Sequence, residues 1–222
     1  MVRISGSVHL DVGRVRRELG LENHVVLGFT GFVRPWHGLD RVIDVMANYG
    51  PAQTLHLVVV GDGPAKADLE HMANRLGVAD RVRFVGAIDR ADIPRYVAVF
   101  DIALEPSAVA YASPLKLIEY MAMGKAIIAP DQPNIRELID DGRTGILVRG
   151  EDDIALADAM VSLSTNTELR HSLGRMAACE VCKRGLTWAA NAERVEALAD
   201  RLVRSGLIMH EKTLGERLFR DA

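Results

Sequence analysis

Aromatic residues are scarce in this chain: Phe, Trp and Tyr make up 5% of 222 residues, against 49% hydrophobic overall. The core must therefore be aliphatic, and there is ample apolar material for one large domain. Long apolar runs are missing too. None approaches the roughly 20 residues of a membrane span, so no transmembrane segment is expected, and only peripheral contact with a membrane stays compatible. Met1 to Asp11 lacks the apolar stretch of a signal peptide, which makes a cytoplasmic location the expectation. Charge of one sign does not dominate, since 27 Lys and Arg face 30 Asp and Glu, a formal net charge of -3. A nucleic-acid partner needs a basic face and is not expected. Small anionic ligands remain compatible.

Cysteine is limited to Cys179 and Cys182. They form a CxxC inside a helical pattern carried by Leu173, Met176, Ala177 and Val181. A redox CxxC belongs at a strand-to-helix turn, so ordinary buried thiols are the better reading. No second Cys or His pair stands nearby to complete a zinc site, and no Asp-x-Asp pair marks a metal. No cofactor and no metal are expected.

What is present is an alternation. Apolar runs at Val25–Phe29, Leu55–Val60, Val82–Val85, Ile102–Leu104, Ala126–Ala129 and Gly145–Val148 read as strands. Helical patterns at Leu39–Met46, Ala65–Leu76, Ile93–Phe100 and Pro133–Ile139 separate them. Short, fully apolar strands joined by helices imply a parallel sheet covered on both faces. With right-handed crossovers the expected fold is α/β, a doubly wound, Rossmann-like sheet of about six strands. After Gly150 the pattern is helical at Asp152–Leu163, Thr167–Arg184 and Thr187–Arg204. The tail Leu207–Phe219 is weakly amphipathic and offers a docking face. We read one domain over 1–222, with 1–24 weakly patterned and 151–222 an all-helical part of it.

Ligands of such sheets bind outside the carboxyl ends of the strands. The loop Gly31–Gly38, the end of the third strand at Val85 and Gly86, and the loop Glu105–Pro114 all leave such ends. The stretch after the fourth strand is the most informative. Ser113 is placed to cap a helix whose first position is Pro114. A helix start suits a phosphate, and the amides of Ser113 and Leu115 are the available donors, proline having none. Lys116 in that first turn is a cation where a cation is disfavoured, unless an anion binds beside it. Glu119 lies one turn on and suits a hydroxyl-bearing group. Arg34 has the fork geometry for phosphate oxygens, and His37 is a second basic candidate in the same loop. Gly61-Asp62-Gly63 invites a dinucleotide reading, but Lys66 stands where the third glycine would be and no ribose acid follows.

In register, these segments resemble the C-terminal, donor-binding domain of retaining GT-B glycosyltransferases of family 4, group 1, over roughly Val25–Leu198. The carriers are Gly31–Gly38, Val59–Pro64, Val82–Gly86, Asp101–Ser107, Ser113–Gly124, Glu137–Val148 and Thr187-Trp188. Three positions depart. The family pairs two acids with seven residues between them; here the second is Glu119 and the first position is Tyr111. His37 replaces the usual Lys, and Phe32 replaces an Arg whose part falls to Arg34. The resemblance implies a nucleotide-diphosphate sugar as substrate, its base near Val85-Gly86 and its ribose on Glu119. The diphosphate would lie between Arg34, His37 and the Ser113 helix start, with Gly31 in the donor site, Lys116 on a phosphate or the sugar, and Tyr111 lining. It implies a metal-independent transferase in which Arg34, His37 and Glu119 are the catalytic candidates. An N-terminal acceptor-binding domain outside this chain is the expected partner, with little transfer by the chain alone. The alternative is a non-catalytic binding or partner subunit on the same fold.

Overall fold

The computed structural model describes residues 11–111 and 113–205. Contacts divide the chain into two compact units, 1–183 and 184–222. In the first, helix α1 (Val12–Leu19) precedes strands β1 (Val26–Thr30) and, after helix α2 (Leu39–Asn48), β2 (His56–Val60). Helix α3 (Lys66–Arg75), β3 (Val82–Gly86), α4 (Ile93–Val99) and β4 (Ile102–Leu104) follow. Then come α5 (Leu115–Ala122), β5 (Ala126–Pro130), α6 (Pro133–Arg136), β6 (Ile146–Val148), α7 (Asp153–Thr165) and α8 (Thr167–Arg184).

The six strands form one sheet in the order β3-β2-β1-β4-β5-β6, every pair parallel. The order reverses between β1 and β4, so the doubly wound α/β topology read from the sequence is the observed one. Side chains alternate across the sheet. Leu27, Phe29, Leu57, Val59, Ile102, Leu104 and Ile128 enter one aliphatic core with residues of α2, α3 and α7. Their neighbours Val26, Val58, Ala103 and Ile127 are equally buried on the other face. There Gly28 is required: a β-carbon would stand 2.0 Å from the Phe100 ring, which meets the Tyr120 ring edge-on at 6.3 Å.

Three local expectations change. Residues 12–19, in the segment expected to be weakly patterned, are helical, because Asp11 accepts from the Arg14 N–H at 2.9 Å and Gly20 closes the helix at φ 69°, while Val15 is buried. Helix α6 stops at Arg136 rather than Ile139. There the backbone is diverted: the Asp140 N–H donates to Thr144 Oγ1 at 2.8 Å. Helix α5 begins at Leu115, with Pro114 rather than Ser113 in the cap position and no side-chain cap. In the second unit, α9 (Trp188–Arg204) starts at Thr187, whose Oγ1 accepts from the Ala190 N–H at 3.2 Å. The tail 207–219 lies outside the described residues.

Candidate active site

The loop after β1 is seated by backbone, and glycines make the seat. Gly31 N–H donates to Val60 O at 2.9 Å, and Val33 N–H to Asp62 O at 2.8 Å. The Val33 carbonyl in turn accepts from Ala65 N–H at 3.2 Å. A β-carbon on Gly61 would lie 1.9 Å from Gly31 O, and one on Gly63 2.2 Å from Val33 O. These glycines are thus used for close approach of one corner to the next loop.

That seat presents Arg34, Trp36 and His37. The Arg34 guanidinium sits 4.5 Å from the Phe32 ring centre and 5.1 Å from Trp36. Both rings are about half exposed, so the fork is pre-ordered by cation–π contact without being consumed by a carboxylate. The Arg34 N–H donates to His37 Nδ1 at 3.1 Å, which leaves Nε2 of the neutral ring to carry the proton. Burial, then the charges of Lys116 and Arg34, push His37 down to about 4. At neutral pH it is a neutral donor.

Lys116 reaches the same loop from α5. Its Nζ lies 4.1 Å from the Phe29 ring centre and 2.8 Å from Glu105 Oε2, and a β-carbon on Gly31 would be 3.5 Å from Nζ. The Glu105 side chain is 3% exposed and that of Lys116 17%. Burial raises the Glu105 pKa and Lys116 opposes it; burial lowers the Lys116 pKa and Glu105 opposes that. Nearby, Tyr120 OH accepts the Thr30 N–H at 2.8 Å and lies 3.0 Å from Thr30 Oγ1, tying the end of β1 to α5. A β-carbon on Gly38 would stand 3.2 Å from Ser107 Cβ. The β1 and β4 loops therefore meet, and Arg34, His37 and Lys116 share the crevice where the strand order reverses.

The other expected residues fall as follows. Val85 is the extra residue of a bulge, since Val59 pairs with Phe84 and Val60 with Gly86. Gly86, at φ 82°, accepts from the Gly61 N–H at 2.9 Å. This strand end lies two strands from β1, roughly 10 Å across the sheet. Glu119 is half-buried on α5. The Leu115 N–H is spent on Ser113 O at 2.9 Å rather than left for a ligand. Ser113 is exposed, Pro114 is buried, and Tyr111 is 91% exposed rather than folded into the crevice. Glu105, Thr30 and Tyr120 were missed by sequence reasoning. An acid at the end of an apolar strand was the available signal for the first.

Among the described residues no group of three or more His, Cys, Asp or Glu is gathered to hold a metal ion. No helix among them is long and apolar enough to cross a membrane. Cys179 and Cys182 are free thiols on α8 and are exposed rather than buried as expected, because the buried side of that helix is taken by Leu173, Gly174, Ala177 and Val181.

The family model described as "Glycosyl transferases group 1" matches residues 24–166, from the start of β1 to the end of α7. The chain belongs to the group 1 glycosyl transferases. Its fold is that of the C-terminal half of a GT-B enzyme. Among its relatives, an alpha-D-kanosaminyltransferase of Streptomyces kanamyceticus is 28% identical over 74% of this chain and 42% of the relative. A D-inositol 3-phosphate glycosyltransferase of Corynebacterium diphtheriae is 32% identical over 82% and 44%. The chain thus spans less than half the length of these curated relatives. The solved structure of Anabaena HepE in complex with UDP-glucose superposes with a TM-score of 0.77 and 26% identity, over 88% of this chain and 54% of that one. The C-terminal domain of a group 1 glycosyl transferase from Francisella tularensis has the same fold: TM-score 0.63, 24% identity, 72% of this chain and 85% of that domain.

Proposed function

We propose that this group 1 glycosyl transferase chain is the donor-binding half of a retaining sugar transferase, taking a nucleotide-diphosphate sugar. The observation that carries the reading is the convergence of Arg34, His37 and Lys116 on the crevice between β1 and β4. In the reading, the base lies against Val85-Gly86, the ribose hydroxyls meet Glu119, and the diphosphate lies along Arg34 and the start of α5. The UDP-bound neighbour HepE supports a uridine nucleotide as the first ligand to try.

The chemistry follows from charge. As the sugar–phosphate bond breaks, positive charge builds at the sugar carbon and negative charge on the departing diphosphate. Arg34 answers with a planar fork, Lys116 with a point charge, and His37 with its Nε2–H. These groups are already held by Phe32, Trp36, Phe29 and Glu105, so they need little reorganisation as the charge develops. Phosphate oxygens arriving beside Lys116 compete with Glu105 for it, which ties ligand entry to the α5 start. The scheme calls for no metal, because the crevice supplies its own cations. The acceptor and an N-terminal domain to hold it lie outside this chain, in keeping with its share of the relatives' length.

The test is calorimetry with UDP, GDP and ADP on the full chain. Binding heat should be lost in Arg34→Ala and weakened in Glu119→Ala, with no efficient sugar transfer by the chain alone. Equal heats in wild type and Arg34→Ala would sink the donor reading. No nucleotide binding at all would leave the partner-subunit reading in its place.

A further inference from the structure

Cys179 and Cys182 are free, exposed thiols with no part in the crevice. They stand three positions apart on α8, a continuous helix from Thr167 to Arg184. Residues at that spacing share one face of a helix on successive turns. Helical rise and radius put their Cα atoms about 5 Å apart. A disulfide spans roughly 4.4–6.8 Å between Cα atoms, so the helix already holds the pair within bridging distance. Side chains of a helix lean toward its start, which carries the Cys182 thiol back over the turn that holds Cys179.

The surroundings leave this pair free to react. The opposite side of α8 buries Leu173, Gly174, Ala177 and Val181. A β-carbon on Gly174 would lie 2.0 Å from Gly124 O, so that side is pressed against the turn between α5 and β5. A bond formed on the outer side leaves this packing as it is. Cys182 lies in the final turn of the helix, ahead of Gly185 at φ 59°. A final turn has carbonyls without intrahelical partners and tightens at little cost, which absorbs the small adjustments a bridge needs.

Charge favours approach of an anionic reagent. Arg175 and Lys183 stand one turn to either side of Cys179, and both are exposed. Glu180, between the two cysteines, is held by Arg143 Nη2 at 3.2 Å and is mostly buried, so its carboxylate is already answered. Exposed cations without a facing carboxylate draw small anions to the thiols.

We propose that Cys179 and Cys182 are a reversible oxidation site, which closes to an intrahelical disulfide by exchange with an anionic small disulfide of the oxidised-glutathione class. One cysteine, as thiolate, attacks a sulfur of the small disulfide. That S–S bond breaks, one small thiolate leaves, and a mixed disulfide remains on the protein. The second cysteine, as thiolate, attacks the protein sulfur of the mixed disulfide and expels the other small thiolate. Two protein thiols are oxidised, one small disulfide is reduced to two thiols, and the two protons pass through water. The pair lies in the last turns of a helix rather than at a helix start, which sets it apart from the dithiol of an oxidoreductase: it receives oxidation and does not catalyse it. The site is independent of the donor reading, since Gly124 and α8 lie at the amino-terminal edge of the sheet and the crevice at the carboxyl-terminal edge.

The chain has two cysteines, so each has no other partner within it. The reduced full-length chain is incubated with oxidised glutathione at mildly alkaline pH, quenched with iodoacetamide and weighed by mass spectrometry. The wild type should end two hydrogens lighter than the reduced chain, with no glutathione and no alkyl label. Excess dithiothreitol should return both thiols. Cys179→Ser and Cys182→Ser should each retain one glutathione, because no second thiol is left to displace it. Far-UV circular dichroism of the oxidised and reduced chains should coincide, because the helix already holds the spacing. A wild type carrying two glutathiones, both thiols alkylated, chains linked in pairs, or a bridge that forms only with loss of helicity would each overturn the proposal. No nucleotide enters the measurement, so its result is separate from that of the donor reading.

Discussion

Two lysines nine positions apart on the same β4-α5-β5 segment show what distinguishes the two edges of this sheet. Lys125, at the amino-terminal edge, donates to the carbonyls of Ala98 at 2.7 Å and Phe100 at 2.8 Å and so closes the end of α4. The carboxylate nearby, Asp101, is held by Arg16 at 2.6 Å. Lys116, at the carboxyl-terminal edge, is held by a carboxylate and an aromatic face and looks onto a crevice with Arg34 and His37. Both are largely buried and burial lowers the pKa of both. Backbone carbonyls are fixed and cannot be exchanged for a ligand. A carboxylate partner can be, because another anion satisfies the same ammonium. The same residue type is therefore a structural clamp at one edge and, on the proposed reading, a cation open to an anionic ligand at the other.

The comparison breaks most visibly if Glu105 is left without its cation. Lys116→Met strands a buried carboxylate and should cost about 3–5 kcal/mol in urea denaturation near pH 8. The cost should shrink as pH falls, because burial already favours the protonated Glu105. The double variant Glu105→Gln/Lys116→Met should recover most of it. If it recovers nothing, Lys116 is no more exchangeable than Lys125.

Lys125→Met is expected to cost less, about 1–3 kcal/mol, for two buried carbonyls left unpaired. The sign of its pH dependence sharpens the contrast. Burial lowers Lys125 to about 8, below the usual 10.5. Between those values the unfolded chain binds the proton more tightly, so stability rises with pH across that window. Lys125→Met should lose that rise over pH 8 to 10, measured by denaturation at each pH.

The smallest effect is a titration. His37, depressed to about 4, is neutral in the folded chain where an unfolded histidine would be protonated. Its contribution to stability is present above about 6.5 and is lost as pH falls toward 4. A bound diphosphate adds negative charge beside the ring and should move its NMR midpoint upward. A midpoint unmoved by saturating UDP would place the ligand elsewhere.

The strands were legible because each is a short apolar block bounded by glycine or polar residues, and no tertiary contact is needed to recognise that pattern. Helix α1 was not, since only Val12, Val15 and Leu19 mark its apolar side and its stability comes from Asp11, Gly20 and the burial of Val15. Arg34, His37 and Lys116 stood out as residue types at strand ends. Their partners did not. Glu105 and Lys116 lie on opposite sides of a ten-residue loop, and nothing in local spacing pairs them. Likewise Thr30 and Tyr120 meet across 90 positions. The Tyr111 side chain, expected to line the crevice, is exposed because the loop carries it outward.

The sequence by itself determined the alternation of aliphatic strands and helices, and with it a parallel sheet whose order must reverse somewhere and leave a crevice at that point. Only the tertiary structure decided the state of the groups in the crevice. Burial made His37 neutral, gave Lys116 a carboxylate to hold and made Gly61 and Gly63 the seat of a loop. The reason is physical: hydrophobic pattern is a property of neighbours along the chain, whereas desolvation and ion pairing depend on which distant residues the fold brings within a few ångströms.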